Sequence, residues 1–191
     1  LAAVGGVDFA QNPYDRVFFA KRQPGSAIKP LLYAAALEKG YTAGTIFNDA
    51  PVTYNRGNNE KWTPHNYDRK LYGDLSLRQA LAYSNNIISV KLLDAIGVPY
   101  FIDFAAQLGL NLQTTNDLTL ALGSGEVTLH DLVSAYAPFA NGGLRPQSRT
   151  ILRIYDRQRQ SWTETPPAIA PVFAPATAFV TTSMMKDVLT Y

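Results

Sequence analysis

The chain has 191 residues, 47% of them hydrophobic, and 17 basic against 15 acidic residues give a net charge of +2. That length and apolar content support one packed domain and exclude wholesale disorder. The near-balanced charge gives no electrostatic reason to expect a nucleic acid or an anionic membrane surface. There is no cysteine and the only histidines are His65 and His130, so disulfides and thiolate chemistry are excluded and a histidine-built metal site is not expected; no motif points to a cofactor, and none is expected. No apolar run approaches the ~20 residues of a membrane helix; the longest candidate, residues 168–180, is broken by Pro171 and Pro175.

In chain order, residues 1–9 read as an apolar strand interrupted by Gly5-Gly6 and already under way at the first residue, so a fragment is expected. Residues 12–15 read as a turn. The first strong helix spans residues 27–39, with Gly40 as its stop. Residues 47–74 form a long polar loop dotted with aromatics. A loop of that length is functional or disordered, and its tyrosines and Trp62 favour order. Ser76 and Gln79 fit a capping box that opens a short helix, which breaks at Ser84-Asn85-Asn86. A second helix follows to Gly97, and a third, with Pro99 in its first turn, to Gly109. Residues 121–127, ALGSGEV, make a glycine-rich turn. Thr128 and Asp131 resemble another capped start, for a helix ending at Asn141-Gly142-Gly143. Residues 150–156 alternate like a strand that pairs with the segment around Trp162 across a basic tip at residues 156–160. A last helix runs from Pro175 to about Leu189. No repeat or low-complexity tract interrupts the pattern, and a helical cluster bracketed by strands places the chain in the α+β or mixed α/β class.

The chemistry begins at RQPGSAIKP, where Ser26 and Lys29 stand three apart at the start of the first helix. Residues at that spacing share a helix face. A serine hydroxyl is a weak nucleophile until a base takes its proton. Lysine can be that base only when neutral, against a reference pKa of ~10.4. Burial and the positive end of a helix both lower that value toward the ~7–8 suited to proton transfer. Ile28, Leu31 and Leu32 can supply the dry surroundings, and Pro30 fits the first turn, whose N–H groups have no helical acceptor. Taken alone, Ser26 also reads as an ordinary helix cap. The chain contains a second S-x-x-K match, Ser183 to Lys186. It lies well inside a helix with no glycine before it, and reads as helix surface or packing.

Ser84 and Asn86 form the only S-x-N in the chain. On a tight turn between helices, a hydroxyl and a carboxamide two apart can face one cleft. The hydroxyl can relay a proton to a leaving group; the amide can donate to a substrate carbonyl and accept from Lys29. The alternative is a capping pair that starts the next helix.

S-x-x-K followed by S-x-N is the signature of penicillin-binding proteins and serine β-lactamases. RQPGSAIKP, WTPHNYD, ALAYSNN, LGSGEVTLHDLVSAYAPFANGG and PATAFVTTSMMKDVL occur here in an order that resembles the transpeptidase domain of class A, bifunctional penicillin-binding proteins. The similarity covers nearly the whole chain, and residues 122–143 carry it most specifically. The resemblance implies a helical cluster packed against a mainly antiparallel sheet. It implies that Ser26 attacks the carbonyl between two D-alanines of a peptidoglycan stem peptide and that Lys29 takes its proton. Ser84 then helps protonate the departing D-alanine, and Asn86 orients the substrate and Lys29. The acyl-enzyme passes to an amine of a neighbouring stem peptide, and β-lactams acylate Ser26. Trp62, Asn66 and Tyr67 are expected either to line the cleft and contact the peptide or to anchor the long loop.

The family's third motif, K-[ST]-G, does not occur in the sequence. Residues 1–191 are therefore expected to be a partial transpeptidase domain, without the first strand and the K-[ST]-G strand. The remainder of the parent polypeptide would supply that strand, the glycosyltransferase domain and a membrane anchor, and the domain would work outside the bacterial cytoplasm. One missing oxyanion donor costs ~10²–10³ in rate, so this fragment alone is expected to be a poor catalyst. Two alternatives stand beside this reading. A serine β-lactamase needs a glutamate to activate water; Glu126 is a candidate that nothing in the sequence aims at Ser26, and Glu38, Glu60 and Glu164 read as exposed or loop positions. The other is a non-catalytic penicillin-sensing or scaffold domain of the same fold.

Overall fold

The computed structural model describes residues 5–55, 60–112 and 117–190. Its centre is α1 (Lys29–Glu38), in which every residue from Leu31 to Ala36 is fully buried. A helix that is apolar all round belongs in an interior, and its alanines allow neighbours to approach closely. Around it pack α2 (Leu77–Ala82), α3 (Asn86–Ile96), α4 (Val98–Gln107) and α6 (Pro175–Asp187), while α5 (Leu129–Ala140) packs on α6. The helix boundaries follow local chemistry. Ser76 caps α2 with a complete capping box through Gln79, the Asn85 side chain caps α3 at Ile88 N, and Thr128 caps α5 at Asp131 N. Pro99 and Pro175 occupy first turns, where a missing N–H costs no helical bond.

The strands are short and all antiparallel. β1 (Lys21–Arg22) pairs with β6 (Val127–Thr128), β2 (Ile46–Asp49) with β5 (Gly73–Ser76), and β3 (Tyr54–Asn55) with β4 (Lys61–Trp62). β7 (Leu144–Pro146) pairs with β10 (Ile169–Pro171), and β8 (Arg153–Asp156) with β9 (Ser161–Glu164). Among the described residues these are five separate two-stranded ladders, so the antiparallel component is divided rather than one continuous sheet. The β8–β9 hairpin matches the expected pairing around Trp162, although its first strand begins at Arg153.

Three local expectations need correction. Residues 5–9 form no strand, and residues 1–4 lie outside the described residues. The turns fall at residues 9–11 and 16–19 rather than at 12–15. Asp8 and Asp15 set them, each accepting from the backbone N–H two residues on, the local bond that makes aspartate a turn former. Regular α-helix begins at Lys29, not Ala27, because residues Gly25–Ile28 form a 3₁₀ turn. The 47–74 loop, of which residues 56–59 lie outside the described residues, is closed at its ends by β2–β5 pairing. Among the described residues no helix is long and apolar enough to cross a membrane.

Candidate active site

Gly25 adopts φ +57°, a left-handed conformation that glycine takes at no steric cost, and it turns the chain from β1 into the 3₁₀ turn. In a 3₁₀ helix, residues i and i+3 eclipse one another, so this turn stacks Ser26 over Lys29. Ser26 is exposed at a cleft of about 420 Å³ that is also lined by Asn66, Tyr67, Asp68, Tyr72, Tyr83, Ser84, Asn85 and Asn86. Lys29 lies inside the protein with 1% of its surface exposed.

The Lys29 ammonium donates three hydrogen bonds, all to the turn between α2 and α3. Nζ reaches the Ser84 carbonyl at 2.6 Å, Ser84 Oγ at 3.0 Å and Asn86 Oδ1 at 2.7 Å. Burial pulls the Lys29 pKa from 10.5 down to about 8; the three acceptors favour the charged form and work against that shift. No hydrogen bond joins Nζ to Ser26 Oγ. A neutral amine has two N–H groups and a lone pair, so deprotonation releases one of the three acceptor contacts and frees the nitrogen to accept a proton.

Ser84 offers both its carbonyl and its hydroxyl to one cation because its backbone is left-handed, with φ +50°. Such a conformation costs about 1–3 kcal/mol in a residue other than glycine and persists where the surroundings enforce it. Here the enforcing bonds are Ser84 N to Leu81 O and Asn85 N to Ala80 O, which close the end of α2. The adjacent amide of Asn86 is oriented by a second contact, Nδ2 donating to the His65 carbonyl at 2.9 Å, so that Oδ1 faces Lys29.

Ser26, Lys29, Ser84 and Asn86 therefore come together. Of the loop residues, Asn66 lines the cleft but is 6% exposed, and its amide is engaged within the protein. Nδ2 donates to Asp49 and to the Lys70 carbonyl, and Oδ1 accepts from Asn86 N. Tyr67 is fully open at the cleft wall. Trp62 sits on β4 against Tyr54, ring centroids 6.2 Å apart, and is not among the residues lining the cleft. The rim carries a carboxylate that sequence reasoning did not single out: Asp68, whose pKa is lowered first by the hydrogen bond from the Tyr72 hydroxyl. Tyr72 in turn stacks on Tyr83 at 5.4 Å.

The glycine-rich turn also has a task that composition alone did not reveal. Gly123 is left-handed, φ +77°, and a Cβ placed there would run into the backbone of Gly25. From α5 the Tyr136 hydroxyl donates to the Ala27 carbonyl at 2.6 Å, and burial pushes the Tyr136 pKa up to about 12. With β1 held on β6, residues 123–136 hold the Ser26 turn through three separate contacts. The second S-x-x-K behaves as packing: Ser183 Oγ and its carbonyl accept from Arg78. Glu126 is exposed and is not a cleft-lining residue.

Residues 1–191 match the sequence profile of the penicillin binding protein transpeptidase domain. The chain belongs to that family. It is 40% identical to penicillin-binding protein 1A of Neisseria meningitidis over 98% of its own length and 25% of that relative. It is 39% identical to penicillin-binding protein 1A of Rickettsia conorii over 82% of the chain and 20% of the relative. The crystal structure of penicillin-binding protein 1A from Haemophilus influenzae superposes with a TM-score of 0.89 at 27% identity, covering 97% of the chain and 32% of that structure. Penicillin-binding protein A of M. tuberculosis, solved as an imipenem acyl-enzyme complex, shares the fold with a TM-score of 0.79 at 21% identity, over 95% of the chain and 47% of that structure. The chain thus spans about a quarter of the length of the 1A relatives it matches. The expected mixed α/β fold is the family's fold, and the expected membership is borne out.

Proposed function

We propose that this transpeptidase domain serves a peptidoglycan D,D-transpeptidase that works through an acyl-serine. The observation that carries the reading is the buried Lys29 amine, its pKa lowered to about 8, hydrogen-bonded to Ser84 and Asn86, which line the same cleft as the exposed Ser26. Neutral Lys29 takes the Ser26 proton as Oγ attacks the carbonyl between two D-alanines of a stem peptide. The Ser84 hydroxyl, 3.0 Å from Nζ, carries a proton on to the departing D-alanine amine. Asn86 orients Lys29 and the substrate amide. An amine of a neighbouring stem peptide then takes the acyl group and restores Ser26. A β-lactam follows the first half of this path and remains on the serine.

The carboxylate-binding K-[ST]-G strand and the missing oxyanion donor come from the remainder of the parent polypeptide, which also anchors the domain on the extracytoplasmic side of a bacterial membrane. Tyr67 meets the peptide at the cleft wall, and Trp62 holds the loop that carries it.

The test is labelling of the full-length protein with a fluorescent penicillin, followed by peptide mass spectrometry. A persistent adduct on Ser26, lost in Ser26→Ala, is expected. Rapid release of the adduct would instead indicate a β-lactamase, and no adduct at all a non-catalytic domain.

A further inference from the structure

Asp49 lies at the end of β2, 1% exposed, and no step of the reaction above uses it. A carboxylate is rarely buried this completely unless it is paired or fully hydrogen-bonded. Its partners are polar and uncharged: Asn66 Nδ2 donates to Oδ2 at 2.9 Å and to Oδ1 at 3.1 Å, and Tyr72 N donates to Oδ2 at 2.9 Å. An ionised carboxylate accepts and never donates. The Asn66 amide must therefore turn its NH₂ toward Asp49 and its oxygen the other way. That oxygen meets the first backbone N–H groups of α3, Asn86 N at 2.9 Å and Ile87 N at 3.4 Å. These are the groups a helix N-terminus leaves without an intrahelical acceptor. The carbonyl of His65, next to Asn66, fixes the Asn86 amide with its oxygen on Lys29.

We infer that Asp49 is a positioning residue for the acyl-serine reaction, setting through Asn66 the orientation of the Ser84–Asn86 turn that holds Lys29. The inference rests on the proposed function and deepens it. The line of bonds has one consistent polarity from end to end: carboxylate, amide NH₂, amide oxygen, helix N–H, and then the residue whose side-chain oxygen receives the ammonium. If the Asn66 amide were reversed, its NH₂ would face two N–H donors and its oxygen would face a carboxylate. Asp49 and the Lys70 carbonyl, which also accepts from Asn66 Nδ2 at 2.9 Å, together disfavour that alternative.

The experiment measures β-lactam acylation rate and melting temperature in the full-length protein, comparing wild type, Asp49→Asn and the exchanged pair Asp49→Asn/Asn66→Asp. In Asp49→Asn the residue at 49 presents one oxygen and one NH₂, so the Asn66 NH₂ keeps the Lys70 carbonyl but loses one of its two acceptors at 49 and is held less firmly; acylation is expected to fall by about tenfold or more, as misplacement of catalytic groups from a distance does. In the exchanged pair the amide at 49 donates to the carboxylate at 66, which still offers an oxygen to Asn86 N. Part of the lost rate is expected to return, short of wild type because a carboxylate at 66 cannot donate to the Lys70 carbonyl as the native amide does, and the pH midpoint of acylation is expected to rise, because the carboxylate now sits nearer Lys29. Lys29 has no carboxylate among its hydrogen-bond partners in the native arrangement. A residue that mattered only for stability would lower the melting temperature of Asp49→Asn and leave the acylation rate of the folded protein in place.

Acylation in Asp49→Asn within a factor of about two of wild type would overturn the inference. So would an exchanged pair that folds but neither recovers rate nor shifts the midpoint. If Asp49→Asn does not fold, the exchanged pair decides on the same two readouts. Wild type that takes no label at all would defeat the proposed function itself, a result separate from either outcome for Asp49.

Discussion

At the scale of the residue, the proposed chemistry turns on the lowered pKa of one buried lysine. The Lys29 pKa is lowered by burial from 10.5 to about 8, so about a tenth of the amine is neutral at pH 7. Acylation of the full-length protein is expected to climb nearly tenfold per pH unit below about 8 and to level off above it, measured as second-order labelling rates across that range. The same shift has a sign for stability. Between pH 8 and 10.5 the unfolded chain holds a proton that the folded chain has lost, so stability rises with pH through that window, by about 3 kcal/mol in total from this group. Lys29→Met should remove that rise, which paired denaturant titrations at pH 7.5 and 10.5 would reveal as a difference between the two proteins. Lys29→Arg should abolish labelling, because a guanidinium stays charged. Retained labelling in that variant would refute the base assignment. Ser26 with Lys29, and Ser84 with Asn86, were legible because each pair is local: the spacing is itself the geometry. Asp49 was not, since a single carboxylate in a polar loop has the same sequence signature whether solvated or buried.

At the scale of the element, the Ser26 turn depends on a segment about a hundred residues later. β6 pairs with β1, Tyr136 bonds the Ala27 carbonyl, and Gly123 lies against Gly25 so closely that the two backbones leave no room for a side chain. Gly123→Ala therefore combines a left-handed backbone strain with a clash against main chain rather than against a side chain that can rotate away. A loss of about 2 kcal/mol or more is expected, together with slower acylation, since the atoms displaced are those before Ser26. Chemical denaturation and labelling rates would check the two effects separately. Tyr136→Phe makes a milder comparison: it removes one hydrogen bond, worth about 1 kcal/mol, without displacing Gly25. The helices themselves were readable, because the capping residues Ser76 and Thr128, the prolines and the terminal glycines act within a few positions of where they stand. The ladders were mostly not. Strands of two residues carry no alternation, and the partner of Lys21 is Thr128, a pairing that no local pattern announces.

At the scale of the whole molecule, α6 closes the cluster although its N-terminus carries no side-chain cap of its own. The cap is supplied from the far end of α1, where Glu38 accepts from Ala174 N at 3.1 Å and from the Thr177 hydroxyl. A carboxylate suits that position, because the unsatisfied N–H groups of a helix start carry partial positive charge. The last turns are held from α2, with Arg78 bonded to Asp187 at 2.7 Å and to Ser183. Two charged side chains on two helices thus fix both ends of a third. Glu38 also stands nine residues along α1 from Lys29, away from the cleft. Glu38→Ala is expected to cost about 1 kcal/mol, the usual value of a lost N-cap, while the labelling rate of Ser26 stays within experimental error of wild type. Thermal denaturation and penicillin labelling on the same full-length preparation would show it. A slower labelling rate at unchanged stability would mean that α6 transmits its position through α1 to the Ser26 turn.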